Sequence, residues 1–174
     1  MSLVCSLLDE AIVITCDLPI GGLVSLYVAN HSQVASIVDT TDDGIIDTIT
    51  MTSPGKFFEF QFNPDTSNWT QEMMKNENAI FFDQTITVKI PYMEAAKRQK
   101  LILLTQGKFK AIAKMASGKY FLLGEVNGLQ LTKNSSGSGT KKEDGNGYTL
   151  EFKAIGEFAE AKEVDSTIIA GIIA

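Results

Sequence analysis

The chain has 174 residues, 44% of them hydrophobic, and carries 15 Lys and Arg against 21 Asp and Glu, a net charge of −6. That length buries one good-sized core and nothing in it reads as a linker, so a single domain over 1–174 is expected. The acidic balance argues against a surface that grips nucleic acid, since such binding rests on basic residues neutralising phosphates.

The opening stretch, MSLVCSLLDEAIVIT, lacks a basic n-region, and Asp9 and Glu10 interrupt its apolar run. Neither a signal peptide nor a membrane span is expected, and synthesis in the cytoplasm is. In that compartment Cys5 and Cys16 read as buried free thiols rather than a disulfide. Residues 11–15 and 23–29 are β-branched or aromatic-rich, and Pro19-Ile20-Gly21-Gly22 supplies a turn between them, which predicts an opening pair of strands. A shorter apolar piece, 34–38, leads to a loop tip at Asp39–Gly44, and Ile45 to Met51 resumes the β pattern. Beyond Ser53-Pro54-Gly55, residues 57–62 alternate, with Phe58, Phe60 and Phe62 on one face and Phe57, Glu59 and Gln61 on the other.

The polar segment from Asn63 to Asn78, which holds the single tryptophan, Trp69, fits either a strand with a long turn or an excursion. Ala79 to Ile90 reads as a central strand, with Phe82, Gln84, Ile86, Val88 and Ile90 on one side. Pro91 ends it, and strong helix formers up to Gly107 predict one helix over about 92–106, its apolar stripe made by Met93, Ala96, Leu103 and Leu104. Lys97, Arg98, Lys100, Lys108 and Lys110 gather on and just after it as a basic edge. Residues 109–115 alternate again.

Two apolar runs, 119–131 and 147–155, flank a loop rich in Gly, Ser and Lys that ends in Asp144-Gly145-Asn146-Gly147, so a long-looped hairpin is expected. Its 133–146 stretch has no apolar area to bury and should be mobile in a free subunit. In the second arm Tyr148, Leu150 and Phe152 alternate with Thr149, Glu151 and Lys153. The C-terminal arm, 157–174, is acidic and then wholly apolar from Ile168 to Ala174; it needs something to dock on, and another subunit is the expected partner.

Candidate chemistry falls away on inspection of spacing. His31 is the only histidine and has no nucleophile motif such as G-x-S-x-G beside it, so it reads as an ordinary loop residue. Asp39, Thr41, Asp43 and Gly44 fit early places of a calcium loop, but Thr50 stands where the bidentate Glu belongs. The Gly137–Lys142 stretch lacks the phosphate-loop spacing and precedes a strand. Asn68-Trp69-Thr70 and Asn134-Ser135-Ser136 match the glycosylation triplet but read as polar loops. Phe58, Phe60, Phe62, Phe81 and Phe82 read as core. No catalytic, cofactor or metal residue is assigned, and no enzyme is expected.

Gly124, Asn127, Gly128 and Leu129 ahead of the loop form a G-x-x-N-G-L pattern, and Asp144, Asn146, Gly147, Tyr148, Leu150 and Phe152 after it form D-x-N-G-Y-x-L-x-F, followed by Glu157 in an acidic end. This combination resembles the C-terminal half of tail tube subunits of long-tailed bacteriophages. The resemblance implies a mostly β domain, a β-sandwich or small barrel with one flanking helix and a long C-terminal hairpin loop. It also implies a structural virion protein that packs with itself in hexameric rings, stacks them into a tube beside other tail or neck proteins, and passes DNA through the lumen without binding it or a membrane. The subunit interface is then expected at Gly124, Asn127, Gly128, Asp144, Asn146, Gly147, Tyr148, Ile168, Ile169, Ile172 and Ile173. A ring-forming adaptor or head-to-tail completion protein is the alternative in the same class. From a different class, a β-sandwich carbohydrate-binding module would stack sugars on Trp69 and loop aromatics.

Overall fold

The computed structural model describes residues 11–12 and 19–174. Cys5, Cys16 and most of the predicted strand over 11–15 lie outside the described residues. From Leu23 onward the chain forms β1 (Leu23–Asn30), β2 (Val34–Val38), β3 (Ile45–Ile46), β4 (Thr48–Met51), β5 (Phe58–Phe60), β6 (Asn68–Lys75) and β7 (Ile80–Pro91). Helix α1 (Ala95–Leu104) is followed by β8 (Phe109–Met115), β9 (Tyr120–Leu123), β10 (Gln130–Gly137), β11 (Gly147–Glu157), β12 (Lys162–Val164) and helix α2 (Ser166–Ile172). The fold is mostly β, as the alternation in the sequence implies, but the described residues form two α-helices where one was expected.

Among the described residues the strands make a six-stranded sheet in the order β3-β12-β9-β8-β1-β5, a four-stranded sheet in the order β10-β11-β7-β6, and the pair β2-β4. The two larger sheets face each other across a first core. Leu26 and Val28 from β1, Ala111 and Ala113 from β8, Ile86 and Val88 from β7, and Leu150 and Phe152 from β11 meet there, with Leu101 of α1 at its margin. A second core lies on the opposite face of the six-stranded sheet, where Ala29, Ile112, Leu122 and Val164 pack against Ile46, Ile49, Phe57, Ile169 and Ile172.

That second core changes several expectations. Strand β8 has no water-facing side at its centre, because Ala111 and Ala113 enter one core and Ile112 the other. Phe57, on the side of its strand that also carries Glu59 and Gln61, is fully buried, whereas Phe58 is 54% exposed at the sheet edge. The apolar C-terminus is not a free arm. Asp165 caps α2 by accepting the Thr167 N–H at 2.9 Å, Ile169 and Ile172 are buried, and the Phe57 N–H donates to the Ile172 carbonyl at 2.9 Å. The chain therefore docks this segment on itself, and Ile169 and Ile172 present no surface to a partner in this arrangement.

Helix α1 is shorter than predicted because Tyr92 takes a left-handed backbone, φ 64°, and Glu94 is extended. Its inner side is made by Leu101 and Leu104, while Leu103 of the predicted stripe is 72% exposed. The expected hairpin is also rearranged. Strand β9 pairs with β8 and β12 in the larger sheet, the chain crosses over at 124–128, and of the predicted first arm β10 alone reaches β11, whose other neighbour is β7. Strand β10 runs on through Gly137 because pairing with β11 satisfies its polar backbone, so the stretch from 133 is strand and the tip is confined to 138–146.

Candidate functional site

The residues expected at one interface are found at three places. The first is the crossover between the sheets. Gly124 and Gly128 both have positive φ, 71° and 79°, which a side chain disfavours, and a Cβ on Gly124 would come within 2.9 Å of the Leu129 backbone nitrogen. The Glu157 carboxylate fills the turn: it accepts the N–H of Val126 at 3.0 Å, of Asn127 at 2.7 Å and of Gly128 at 3.1 Å. The Asn127 side chain donates back to the carbonyls of Ile155 and Gly156, and the Gly124 N–H donates to Gln84 Oε1 at 2.8 Å. Lys110, buried beneath, donates to the Glu125 carbonyl. Burial pulls its pKa below the ordinary lysine value, against the opposing pull of Glu125 and Glu157. Lys110 is thus a counter-charge inside the fold and not part of a basic outer edge. This is a structural lock, since a buried carboxylate needs such donors to be tolerated.

The second place is the base of the hairpin, where Gly147 pairs with Pro91 so closely that a Cβ would strike the Ile90 carbonyl. Asn146 accepts the Tyr92 N–H on its carbonyl at 3.0 Å and the Met93 N–H on Oδ1 at 3.2 Å. Lys97 Nζ donates to the Pro91 and Tyr92 carbonyls at 2.8 and 3.1 Å and stands 5.6 Å from the Tyr92 ring centroid. These contacts hold Tyr92 in its left-handed conformation with 68% of it exposed. A polar cleft of about 630 Å³ opens beside it, lined by Lys89, Ser135, Asp144 and Asn146 among others. Asp144 Oδ2 accepts the Thr140 and Lys141 N–H groups, and those bonds hold its carboxyl below the usual range, Lys141 contributing most. Tyr148 is buried, its hydroxyl 3.4 Å from the Glu94 carbonyl. Nothing in the sequence announced Tyr92, because a positive φ outside glycine leaves no mark in composition.

The third place is the second core, which takes up Ile169 and Ile172 and partly covers Ile168 and Ile173.

Around the four-stranded sheet, charge is unevenly arranged. Its water-facing side carries Glu72, Asp83 and Glu151 against Lys89, Lys133 and Lys153, a balance of 3 − 3 = 0, with Thr70, Thr85, Thr87 and Thr149 between them. Near the β6–β7 turn, Glu72 stands opposite Asp83 and Lys75 opposite Ile80. At the opposite end, Lys89 and Asp144 line the cleft beside Tyr92, and Lys97 and Lys100 share a second cleft with Glu59.

Trp69 is not a free stacking platform, since its indole donates to Met115 Sδ at 3.1 Å and its ring lies 5.6 Å from that of Phe121. His31 Nε2 pairs with the Val126 carbonyl at 3.0 Å, beside the crossover. Asp39 accepts the backbone N–H groups of Asp43 and Gly44, a self-contained turn. No helix among the described residues is long and apolar enough to cross a membrane. Comparison with protein-family models, curated proteins and solved structures finds no match.

Proposed function

We propose that the chain is a structural subunit whose four-stranded sheet continues from copy to copy, and that the assembly is the ring-stacked phage tail tube implied by the sequence resemblance. One observation carries the reading: β10 and β6, each eight residues long, form the two edges of one sheet and neither has an outer partner among the described residues. Long open edges are a hazard for a monomer unless another strand covers them. Two different edges on opposite sides of one sheet suit a heterologous contact, which closes into a ring when the rotation allows. The water-facing side of the sheet would then line the lumen. Its balanced charge lacks the net positive field that retains duplex by counterion release, so the conduit needs no acidic lining.

Proline at successive positions of β10 tests the edge. In an antiparallel strand alternate N–H groups point to opposite neighbours, so of Asn134→Pro and Ser135→Pro one breaks the bond to β11 and the other strikes only the outward N–H. The outward variant is expected to stay folded by circular dichroism and to show no rings in negative-stain micrographs where the parent does. Rings from both variants would overturn edge pairing. A mobility-shift titration at low salt is expected to show no complex with single- or double-stranded DNA, and salt-sensitive binding would move the function to DNA coating.

A further inference from the structure

Tyr92 follows Pro91 where the chain leaves β7 and turns toward α1. Its left-handed backbone strains a bulky residue, whereas Gly or Asn would adopt it readily. Packing does not account for the tyrosine, because its side chain belongs to neither core and most of it is exposed. A strained backbone that holds an aromatic ring in water points to something outside the fold that the ring touches. The ring borders the polar cleft, whose 630 Å³ is of the size usual for small-molecule sites, about 300–1,000 Å³. Lys97, 5.6 Å from the ring centroid, lines the second cleft and not this one, so it leaves the ring's cleft side uncovered. Apart from Ile90, Pro91 and the two tyrosines, the walls are polar side chains and glycines.

We propose that this cleft binds a neutral saccharide, with one sugar ring stacked on Tyr92 and its hydroxyls held by Lys89, Asp144 and Asn146. The C–H face of a pyranose is weakly positive and suits the negative face of an aromatic ring. Sugar hydroxyls both donate and accept, and the cleft offers both kinds of partner. Lys89 makes no ion pair among the described residues. Asn146 uses Oδ1 on the Met93 N–H and Asp144 uses Oδ2 on Thr140 and Lys141, which leaves Asn146 Nδ2 and Asp144 Oδ1 uncommitted among the described residues. Lys89 and Asp144 are the charged residues of the lining, one of each sign. That balance gives a phosphate or polyanion no net attraction, and the polar walls give an acyl chain nowhere dry to lie. Trp69, with its indole bonded to Met115, is not available for stacking, and Tyr92 takes that role. The site is complete within one copy, so it stands whether or not the sheet edges pair.

A printed array of neutral, sialylated and sulfated glycans, probed with the labelled full chain, tests the site. The parent should bind neutral glycans, and titration calorimetry with the strongest of them should show little dependence on salt. In Tyr92→Gly the Kd should rise about tenfold or more, while Tyr92→Phe, which keeps the ring, should bind as the parent does. Glycine adopts a positive φ without strain, so the unfolding midpoint of Tyr92→Gly should be no lower than the parent's. Lys89→Met removes a donor away from the ring and should weaken binding about tenfold. A parent that binds no glycan, or only anionic ones, would overturn the proposal, as would parent-like binding by Tyr92→Gly or Lys89→Met. Loss of binding in Tyr92→Phe would place recognition on the hydroxyl and overturn stacking. Should Tyr92→Gly unfold before the parent, the ring serves the fold and the premise is gone. None of these readouts depends on ring formation, so edge pairing and sugar binding fail separately.

Discussion

At 124–128 and at 140–144 the chain turns around a carboxylate that accepts backbone N–H groups, yet the two carboxylates stand in opposite situations. Glu157 comes from 29 to 31 residues further along the sequence and is fully buried. Asp144 reaches back only three and four residues and sits in water. The same chemistry therefore ties two distant segments together in one case and merely shapes its own loop in the other. In the buried case each donor left without its acceptor is an uncompensated polar group, while in the exposed case water substitutes.

The sharpest way to break that contrast is to remove both carboxylates in turn. Glu157→Ala strands three N–H groups and leaves Lys110 with Glu125 as its remaining carboxylate, and should lower stability by about 3–5 kcal/mol in denaturant unfolding. Glu157→Gln keeps an acceptor oxygen and should cost about 1–3 kcal/mol. If Asp144→Ala destabilises as much as Glu157→Ala, the distinction is wrong. Next in size, Ile169→Ala and Ile172→Ala should each cost about 2–5 kcal/mol, as core truncations do, and removal of 166–174 should leave an unfolded product rather than a soluble monomer. Gly128→Ala forces a side chain onto φ 79° with its Cβ 2.8 Å from the His31 ring, and should cost about 1–2 kcal/mol in the same assay.

The smallest effect belongs to Asp144 itself. Asp144→Asn should leave the global unfolding midpoint in place while protease cleavage within 138–146 speeds up. Its folded pKa lies below the ordinary 3.8, so the folded state binds the proton less tightly than the unfolded chain. The associated stabilisation is complete above that ordinary value and is lost as pH falls through the lowered one. Asp165, lowered chiefly by the Thr167 N–H, follows the same sign at the start of α2. An NMR titration of the two carboxyls should find both midpoints below 3.8.

Alternation made β7 and β11 legible, down to Tyr148, Leu150 and Phe152 inside and Thr149, Glu151 and Lys153 outside. What stayed hidden were facts of partnership. A run such as Ile168–Ala174 states that it must be covered, and only the position of Phe57, more than a hundred residues earlier, states by what. The polar stretch around Trp69 resolves into β6 only because β7 offers it an edge. A pattern of Gly and Asn such as that at 124–128 reports a demand on the backbone and is silent on whether a buried Glu157 or a neighbouring copy imposes it.

Because β8 gives Ala111 and Ala113 to one cluster and Ile112 to the other, it is a wall common to two rooms. Neither room can be emptied while the other stays furnished, since losing the wall floods both with water. Melting should accordingly be a single transition, with calorimetric and van't Hoff enthalpies in agreement, despite the two separate apolar clusters. Partial opening is left to parts that lean on no shared wall, the 138–146 tip foremost, and hydrogen exchange there should run far ahead of that in β8.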